Sequence, residues 1–431
     1  MFLRVTAIAP QVARSWARGL TRNILLLGVA SLLTDVSSEI LIPLLPLFLL
    51  TLPDVSAATA YLILGVIESV AESLVSFLKM VSGLLSDRIG RRKRFVALGY
   101  GVSTAMKAAL PWSASWTHVF VVRIGDRLGK GVRDPPRDAL IAESTTPQTV
   151  GKAFGFHRTM DTVGAILGSV IALIAFPVIA LTQGADSAFR TLFLVAVVPA
   201  FLAFLVILIV RDIPTAPKRT LRLRVSLRSL PVRLRLFVIV AAVYSVANFT
   251  LWIAIAFVRD RAIAAGFTEE AAQSIALLQY VLFNVVYALL AVQAGALSDR
   301  IGRKPVVLAG YVVFAAGCLG FALVPDPAYL LGFFLLFGVS YAFVEGTQRA
   351  LVADLAPPEL KGTSLGTYHA AVGIGKLFAS SLAGGLAAFV SPSAAFLTSA
   401  AIALVAATLF VGAFAGRRSP ATASLPSERQ R

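Results

Sequence analysis

Long apolar stretches separated by short polar segments run along almost the whole chain. A membrane-spanning helix needs about 20 mostly apolar residues, and by this measure the sequence predicts twelve spans. All twelve are expected to be α-helices, because lipid offers no water to unpaired backbone groups. The predicted spans are 23–50, 57–82, 95–112, 115–132, 151–178, 188–210, 236–258, 271–294, 305–323, 328–348, 363–389 and 394–415.

Composition agrees with this pattern. Of the 431 residues, 58% are hydrophobic and 14% are charged, whereas a soluble chain carries about 25% charged residues. The formal net charge of +17 would suggest nucleic acid as the partner of a soluble protein. Here the lysines and arginines lie in alternate loops, as in the cytoplasmic loops of membrane proteins. We therefore expect a lipid bilayer as partner and no nucleic acid. The single cysteine, Cys318, excludes an internal disulfide.

The positions of the basic residues predict orientation and domains. The loops after the even-numbered spans and both tails are basic, so both termini are expected in the cytoplasm and the chain in the plasma (inner) membrane. The basic linker could be a helix lying on the anionic leaflet surface or a disordered tether. The predicted parts are an N-terminal tail (1–22), a six-helix bundle (23–210), the linker (211–235), a second six-helix bundle (236–415) and a C-terminal tail (416–431).

Two repeats indicate that the halves are related. The polar segment 83–94, GLLSDRIGRRKR, returns at 295–304 as GALSDRIGRK, each time between two apolar runs. The segment 137–155 has a weaker counterpart at 348–366. A repeat at half the chain length predicts two similar bundles, related by a pseudo-two-fold axis along the membrane normal.

The pattern Gly-x-x-x-Asp-Arg-x-Gly-Arg-Arg/Lys in both loops resembles the signature loop of the major facilitator superfamily (MFS) of transporters. The resemblance implies an all-α polytopic fold of twelve transmembrane helices in two pseudo-symmetric six-helix bundles around a central cavity. It also implies secondary active transport of a small solute by alternating access, a monomeric state and no cofactor.

The resemblance assigns a gating role to the repeated loops. Asp87 would bond to the start of the eleventh span near Gly362 and pair with Arg123, and Asp299 would bond near Gly151. The alternative is that these loops are only topology signals and tight turns. The candidate gating residues are Gly83, Asp87, Arg88, Gly90, Arg91, Arg92, Arg123, Asp126, Gly295, Asp299, Arg300, Gly302 and Arg303.

Four acids lie inside predicted spans and are candidates for proton coupling. They are Asp35, Glu39, Glu68 and Glu72. A charged, unpaired carboxylate in apolar surroundings is costly, so such a group takes up a proton readily. Asp35 is the favoured member, because it lies about 18 Å from the start of its span and hence near mid-membrane. Alternatively each acid is paired with a cation and never titrates, with Lys79 and Lys107 as candidate partners.

Polar and aromatic residues at helical spacing suggest the wall of a substrate cavity, although hydrogen bonding between helices would explain the same pattern. Two basic residues could attract an anion, while the acids of the first two spans could attract a cation, and the sequence leaves both open. The candidate substrate-binding residues are Arg158, Tyr244, Asn248, Trp252, Gln279, Tyr280, Asn284, His369 and Lys376.

The expected function is transport of a small solute, coupled to protons. Gly155, Gly164 and Gly168 follow part of a glycine motif of the proton-coupled drug-exporter branch, which favours efflux by H⁺ antiport. The alternatives are proton-coupled uptake of an organic anion or nutrient and, more remotely, a non-transporting membrane sensor or scaffold. An enzyme is not expected, because the sequence has no metal-ligand cluster, phosphate loop or nucleophile–base pattern.

Overall fold

The structure is a computed structural model that describes residues 20–146, 149–213, 230–324, 326–357 and 360–414, without the side chains of residues 361 and 362. Most of the predicted tails and of the basic linker lies outside the described residues, so the leaflet-surface helix stays a prediction. Every regular segment within these ranges is helical.

Twelve helices, numbered here in chain order, account for the described chain, as predicted. A single 3₁₀ turn, Leu110–Trp112, follows the third helix. The helices are α1 Arg22–Leu49, α2 Ala60–Ile89, α3 Arg92–Ala109, α4 Trp116–Glu143, α5 Val150–Gln183, α6 Ala185–Ile209, α7 Val232–Ala264, α8 Glu269–Ile301, α9 Arg303–Leu323, α10 Pro327–Leu355, α11 Lys361–Phe389 and α12 Pro392–Phe414.

Ten of these helices are long and apolar enough to cross a membrane by length and composition. The other two, α3 and α4, carry too many charges to qualify. They nevertheless pack against each other and against α2 and α6 inside the first bundle. The charges of α4 are directed inward, and Arg123, Arg127 and Arg133 are buried. Burial against protein, rather than exposure to lipid, is what permits so polar a helix at this position.

Several helices extend further than their apolar segments predicted. α2 continues to Ile89, α4 to Glu143 and α8 to Ile301, whereas the predicted ends were 82, 132 and 294. The apolar criterion measures only the hydrocarbon layer, while a helix continues for as long as its backbone bonds are satisfied. The extra turns carry the repeated loops beyond the apolar layer. We call this end of the molecule the loop end and the other the opposite end.

The two repeated loops turn at glycines with positive φ, Gly90 at 69° and Gly302 at 95°. This backbone region suits glycine because it has no Cβ. In the second copy α9 begins directly after Gly302, whereas in the first copy Arg91 intervenes before α3. That extra residue explains why the spacing between matching positions of the two halves shortens by one after this turn.

The halves touch at the opposite end and separate at the loop end. Near the opposite end a Cβ on Gly65 of α2 would lie 3.1 Å from Gly384 Cα of α11. The hydroxyl of Tyr61 donates to Asp260 of α7 at 2.7 Å. At the loop end, a Cβ on Gly155 or Gly366 would meet no other atom within 4 Å. The molecule is therefore closed at the opposite end and open at the loop end.

Candidate functional site: the central cavity

The space between the two halves consists of two connected chambers. The outer chamber, about 850 Å³, lies toward the loop end and is lined by residues such as Lys79, Gly366 and His369. The inner chamber, about 410 Å³, is lined by residues such as Glu68 and Tyr280. Residues of both halves line each chamber, so a solute bound here would contact both bundles. Each of these two volumes is large enough for a small organic molecule.

An ion pair of the first half meets an aromatic ring of the second at the inner chamber. Arg123 Nε donates to Glu68 Oε1 at 2.6 Å, and both side chains are buried. The Arg123 guanidinium also lies over the Trp252 ring, 5.0 Å from its centroid. Such a stack is a cation–π contact, favourable where water is excluded. Arg123 thus joins α2 and α4 to α7.

Glu72 joins three helices through two cations. Its carboxylate lies 3.4 Å from Arg127 Nη2 of α4 and 3.3 Å from Lys376 Nζ of α11. Since α2 and α4 belong to the first half and α11 to the second, this cluster crosses the cavity. The charge of Lys376 is therefore engaged by a carboxylate of the protein itself.

Asp35 and Glu39, one helical turn apart on α1, have different surroundings. Glu39 accepts hydrogen bonds from the Tyr280 hydroxyl at 2.9 Å and from the Asn284 amide at 3.4 Å, both from α8. Asp35 lines both chambers. Within the described ranges it accepts no hydrogen bond and has no cationic group within 4.0 Å. Lys79 and Lys107 do not neutralise either acid, since Lys79 pairs with Asp134 at 3.0 Å and Lys107 donates to serines of α1.

A second connection between the halves runs from α5 to α10. Arg158 Nη2 donates to the Tyr287 hydroxyl at 2.8 Å, and this hydroxyl donates to Glu345 at 3.1 Å. On α5, Asp161 accepts from Ser31 of α1 and lies 3.5 Å from His157. The positive charge of Arg158, like that of Lys376, is thus held by groups of the protein.

Most of the residues predicted to bind substrate surround the cavity. Eight of the nine line one chamber or both: Arg158, Tyr244, Asn248, Trp252, Tyr280, Asn284, His369 and Lys376. The prediction for Gln279 is wrong. It lies on the far face of α8, where its amide donates to the Pro327 carbonyl at 3.3 Å. Sequence spacing showed that Gln279 and Tyr280 are neighbours, but consecutive helical positions point about 100° apart.

The predicted stripe of Tyr244, Asn248 and Trp252 does not lie on one continuous helix. α7 is interrupted between Ala247 and Leu251, with Asn248 ending the first segment and Thr250 capping the second. Side chains of neighbouring helices bond to the interrupted segment, once at a side chain and once at a freed backbone N–H. Asn248 accepts from the Tyr341 hydroxyl at 2.9 Å, and the backbone N–H of Thr250 donates to Ser380 at 2.9 Å.

The predicted pairing of Asp87 with Arg123 is wrong. Arg123 pairs with Glu68, which lies about 28 Å from Asp87 along α2 at 1.5 Å per residue. Asp87 instead lies 2.6 Å from Arg92 Nη1, and Arg92 Nε donates to Glu143 at 2.7 Å. The predicted bond near Gly362 involves side-chain surroundings that the structure does not describe.

The second half contains the same arrangement. Arg303 lies 2.6 Å from Asp299 and 3.3 Å from Asp354. The acids Glu143 and Asp354 were missed in the sequence analysis, although they occupy matching positions of the weaker repeat. Aligning the two copies of this repeat, with the extra loop residue allowed for, would have identified both acids.

The other candidate gating residues have diverse surroundings. Asp126 accepts from Ser103 inside the first bundle, away from the loop end. Arg91 and Arg300 are exposed. A Cβ on Gly83 would lie 3.4 Å from Pro135 of α4, whereas a Cβ on Gly295 would have open space around it. Gly151, the predicted contact of Asp299, also has open space around it. In the described part of the chain no three His, Cys, Asp or Glu side chains are grouped so that they could hold a metal ion.

A twelve-helix fold with two similar halves, a central cavity and the repeated Asp-Arg-x-Gly loops defines a transporter of the major facilitator type. The sequence profile of the Major Facilitator Superfamily matches residues 27–277 and 236–431. The chain belongs to this superfamily. It is therefore a membrane-embedded, multi-pass transporter, and the superfamily is not one of enzymes.

Individual relatives agree with this assignment. An uncharacterized MFS-type transporter of Methanocaldococcus jannaschii is 35% identical over 394 residues, covering 91% of this chain and 95% of the relative. Multidrug resistance protein MdtG of Enterobacter lignolyticus is 26% identical over 422 residues, covering 94% of this chain and 95% of the relative.

Solved structures share the fold at low identity. The nucleoside transporter NupG superposes with a TM-score of 0.71 at 15% identity, covering 91% of this chain and 99% of that one. A D-xylose-proton symporter superposes with a TM-score of 0.70 at 18% identity, covering 90% and 96%. At these identities the likeness concerns the fold alone.

Proposed function

We propose that this transporter exports a small solute in exchange for protons, with Asp35 as the proton-binding group. The observation that carries the proposal is the position of Asp35. It faces both chambers and has neither a hydrogen-bond donor nor a cation among the described residues. Binding a proton would neutralise this carboxylate without breaking an existing contact, and the exposed cavity gives the proton a route to it.

The surroundings of the other three acids support the choice of Asp35. Glu68 and Glu72 are engaged by Arg123, Arg127 and Lys376, so a proton arriving at either would have to displace a cation. Glu39 is held by neutral donors from α8. Glu39 is thus a second proton-binding group, and its protonation would weaken its hydrogen bonds to α8 of the other half.

Two observations favour export by antiport over uptake by symport. The uptake alternative required Lys376 and Arg158 to attract an organic anion, but both are engaged by groups of the protein. In addition, MdtG of Enterobacter lignolyticus is named as a multidrug resistance protein. Gly164 and Gly168 of α5 lie directly against α1, the helix of Asp35, and the absence of a side chain at these positions permits this close packing.

We further propose that the loop end faces the cytoplasm and that the repeated loops close it. In this open state Asp87 and Asp299 are partly exposed and pair within their own halves. They remain available to bond to the opposing helix starts when the halves rock together. The positive-inside distribution of lysine and arginine supports this orientation, with both termini in the cytoplasm of a plasma-membrane protein.

The test is transport by the purified protein in liposomes that contain a pH-sensitive dye. A proton gradient is imposed, and cationic drugs and organic anions are added one at a time. The proposal predicts that at least one compound with a basic nitrogen moves against the proton flux. Proton flux in the same direction as an anion would contradict antiport and favour uptake. Solute flux that is independent of the proton gradient would contradict proton coupling altogether.

A further inference from the structure

Two charged side chains that line the cavity differ from the others in their contacts. Asp35 and Lys130 each line both chambers. Neither has a hydrogen bond or an ion pair within 4.0 Å in the described structure. Every other charged side chain lining the two chambers is engaged in such a contact. The cavity therefore presents one unmatched negative charge and one unmatched positive charge.

The position of Lys130 on α4 makes this contrast specific. Arg123, Arg127, Lys130 and Asp134 follow one another at three- and four-residue intervals and so share one helix face. Arg123 pairs with Glu68, Arg127 with Glu72 and Asp134 with Lys79. Only Lys130 on this face lacks a described partner. Asp161, Lys130, Glu39 and Arg133 are among the charged groups whose fields reach Asp35.

We propose that Asp35 and Lys130 bind the two ends of one amphoteric solute. Asp35 receives a basic nitrogen of the solute and Lys130 receives its carboxylate or a similar acid group. This inference rests on the proposed function and names the substrate class. Aromatic side chains such as Tyr244, Tyr280 and Tyr341 line the chambers and offer flat apolar contact to the body of the molecule.

Charge matching is the physical reason. A purely cationic solute would satisfy Asp35 but leave Lys130 desolvated and unpaired, and a purely anionic solute would do the reverse. A solute with both groups satisfies both ends with charge-assisted hydrogen bonds, which are the stronger kind. It also leaves the net charge of the cavity unchanged. Asp35 can then hold either a proton or the solute's basic nitrogen, which links this site to antiport.

The experiment measures equilibrium binding by calorimetry to the purified full-length protein near neutral pH, without a proton gradient. The probes are two matched sets that share a carbon framework: phenylalanine with phenethylamine and hydrocinnamate, and para-aminomethylbenzoate with benzylamine and para-toluate. We expect at least one amphoteric probe to bind about tenfold or more tightly than both singly charged partners, the gain from one charge-assisted contact. Equal affinities within both sets, or no binding by either amphoteric probe, would overturn the proposal.

Variants locate the two ends. In Lys130→Met, removing the probe's carboxylate should change the affinity by less than about twofold, since its partner is gone. In Asp35→Asn, removing the probe's amine should likewise have little effect. Lys79→Met is the matched control, because Lys79 lines the same chamber but pairs with Asp134. It should keep the full preference for the amphoteric probe.

If Lys130→Met still binds the amphoteric probe more tightly than the matching amine, the assignment of Lys130 is contradicted. This result counts only if the variant elutes as a single species with an unchanged melting temperature. The outcome is separable from that of the proposed function. Proton-driven export of a purely cationic compound, together with equal affinities within both probe sets, would overturn the amphoteric site and leave antiport standing.

Discussion

The four acids of the first two helices have the same i,i+4 spacing but different partners. Glu68 and Glu72 meet cations from α4 and α11, Glu39 meets neutral donors from α8, and Asp35 meets none of these. The sequence placed all four inside predicted spans and made them candidates for proton coupling. The sequence could not show which of the acids have cationic partners, which have neutral donors and which have neither. Their partners come from helices that are distant in sequence, and the rotation of those helices is set only by packing.

Glu68 and Arg123 give a stability prediction at this scale. Replacing one member of a buried ion pair leaves the other charged and unpaired, which costs about 3–5 kcal/mol. We expect Glu68→Gln to lower the melting temperature of the purified protein clearly. The double variant Glu68→Gln/Arg123→Met should regain much of the loss, because the guanidinium that lost its closest carboxylate is removed as well. A double variant that is less stable than Glu68→Gln would contradict this account.

At the scale of single helices, apolar length predicted the number and order of the helices but not their ends or interruptions. α4 was recognised as a span despite its charges, and the structure shows why it is tolerated, since its polar face meets α2 and α3 rather than lipid. The break in α7 was not predicted. Asn248 was interpreted as one position of a continuous polar stripe, whereas the first helical segment ends there and the freed N–H of Thr250 donates to Ser380 of α11.

The packing of α2 on α11 gives a second prediction. A Cβ on Gly384 would clash with the Tyr61 carbonyl and would approach Gly65 Cα at 3.1 Å, whereas one on neighbouring Gly385 meets nothing within 4 Å. We expect Gly384→Val to destabilise the closed opposite end by about 1–3 kcal/mol, as overpacking does. Gly385→Val is the matched control and should have little effect.

Thiol labelling measures this opening. Cys318 is buried and is first replaced by alanine, so that a single reporter, Ser76→Cys in the outer chamber, remains. Gly384→Val should increase labelling of the reporter by an impermeant reagent added at the opposite end. Equal labelling in the Gly384 and Gly385 variants would show that this close contact does not hold the opposite end shut.

At the scale of the whole molecule, the two halves are related in detail as well as in outline. Asp87, Arg92 and Glu143 in the first half correspond to Asp299, Arg303 and Asp354 in the second. The sequence repeat predicted two similar bundles and the MFS fold. The state of the molecule could not be predicted, because open and closed forms have the same sequence and differ only in how the halves are inclined.

The loop end gives a third prediction. If Asp87 helps to close this end, Asp87→Asn should weaken the loop-closed state and increase labelling of the Ser76→Cys reporter from the loop side. The pairing of Arg92 with Glu143 within the first half should persist, so the melting temperature should change little. Unchanged labelling together with unchanged transport would remove Asp87 from the gate.

The central claim is that Asp35 couples proton movement to solute movement, and two transport assays on one variant test it directly. In liposomes, Asp35→Asn should abolish proton-driven accumulation while solute-for-solute exchange continues at saturating solute, because exchange needs no proton and an asparagine at this position still accepts a hydrogen bond from the solute. Asp138→Asn is the control, since Asp138 lines the outer chamber but pairs with Arg137, and it should retain both activities. Normal proton-driven accumulation by Asp35→Asn would contradict the account.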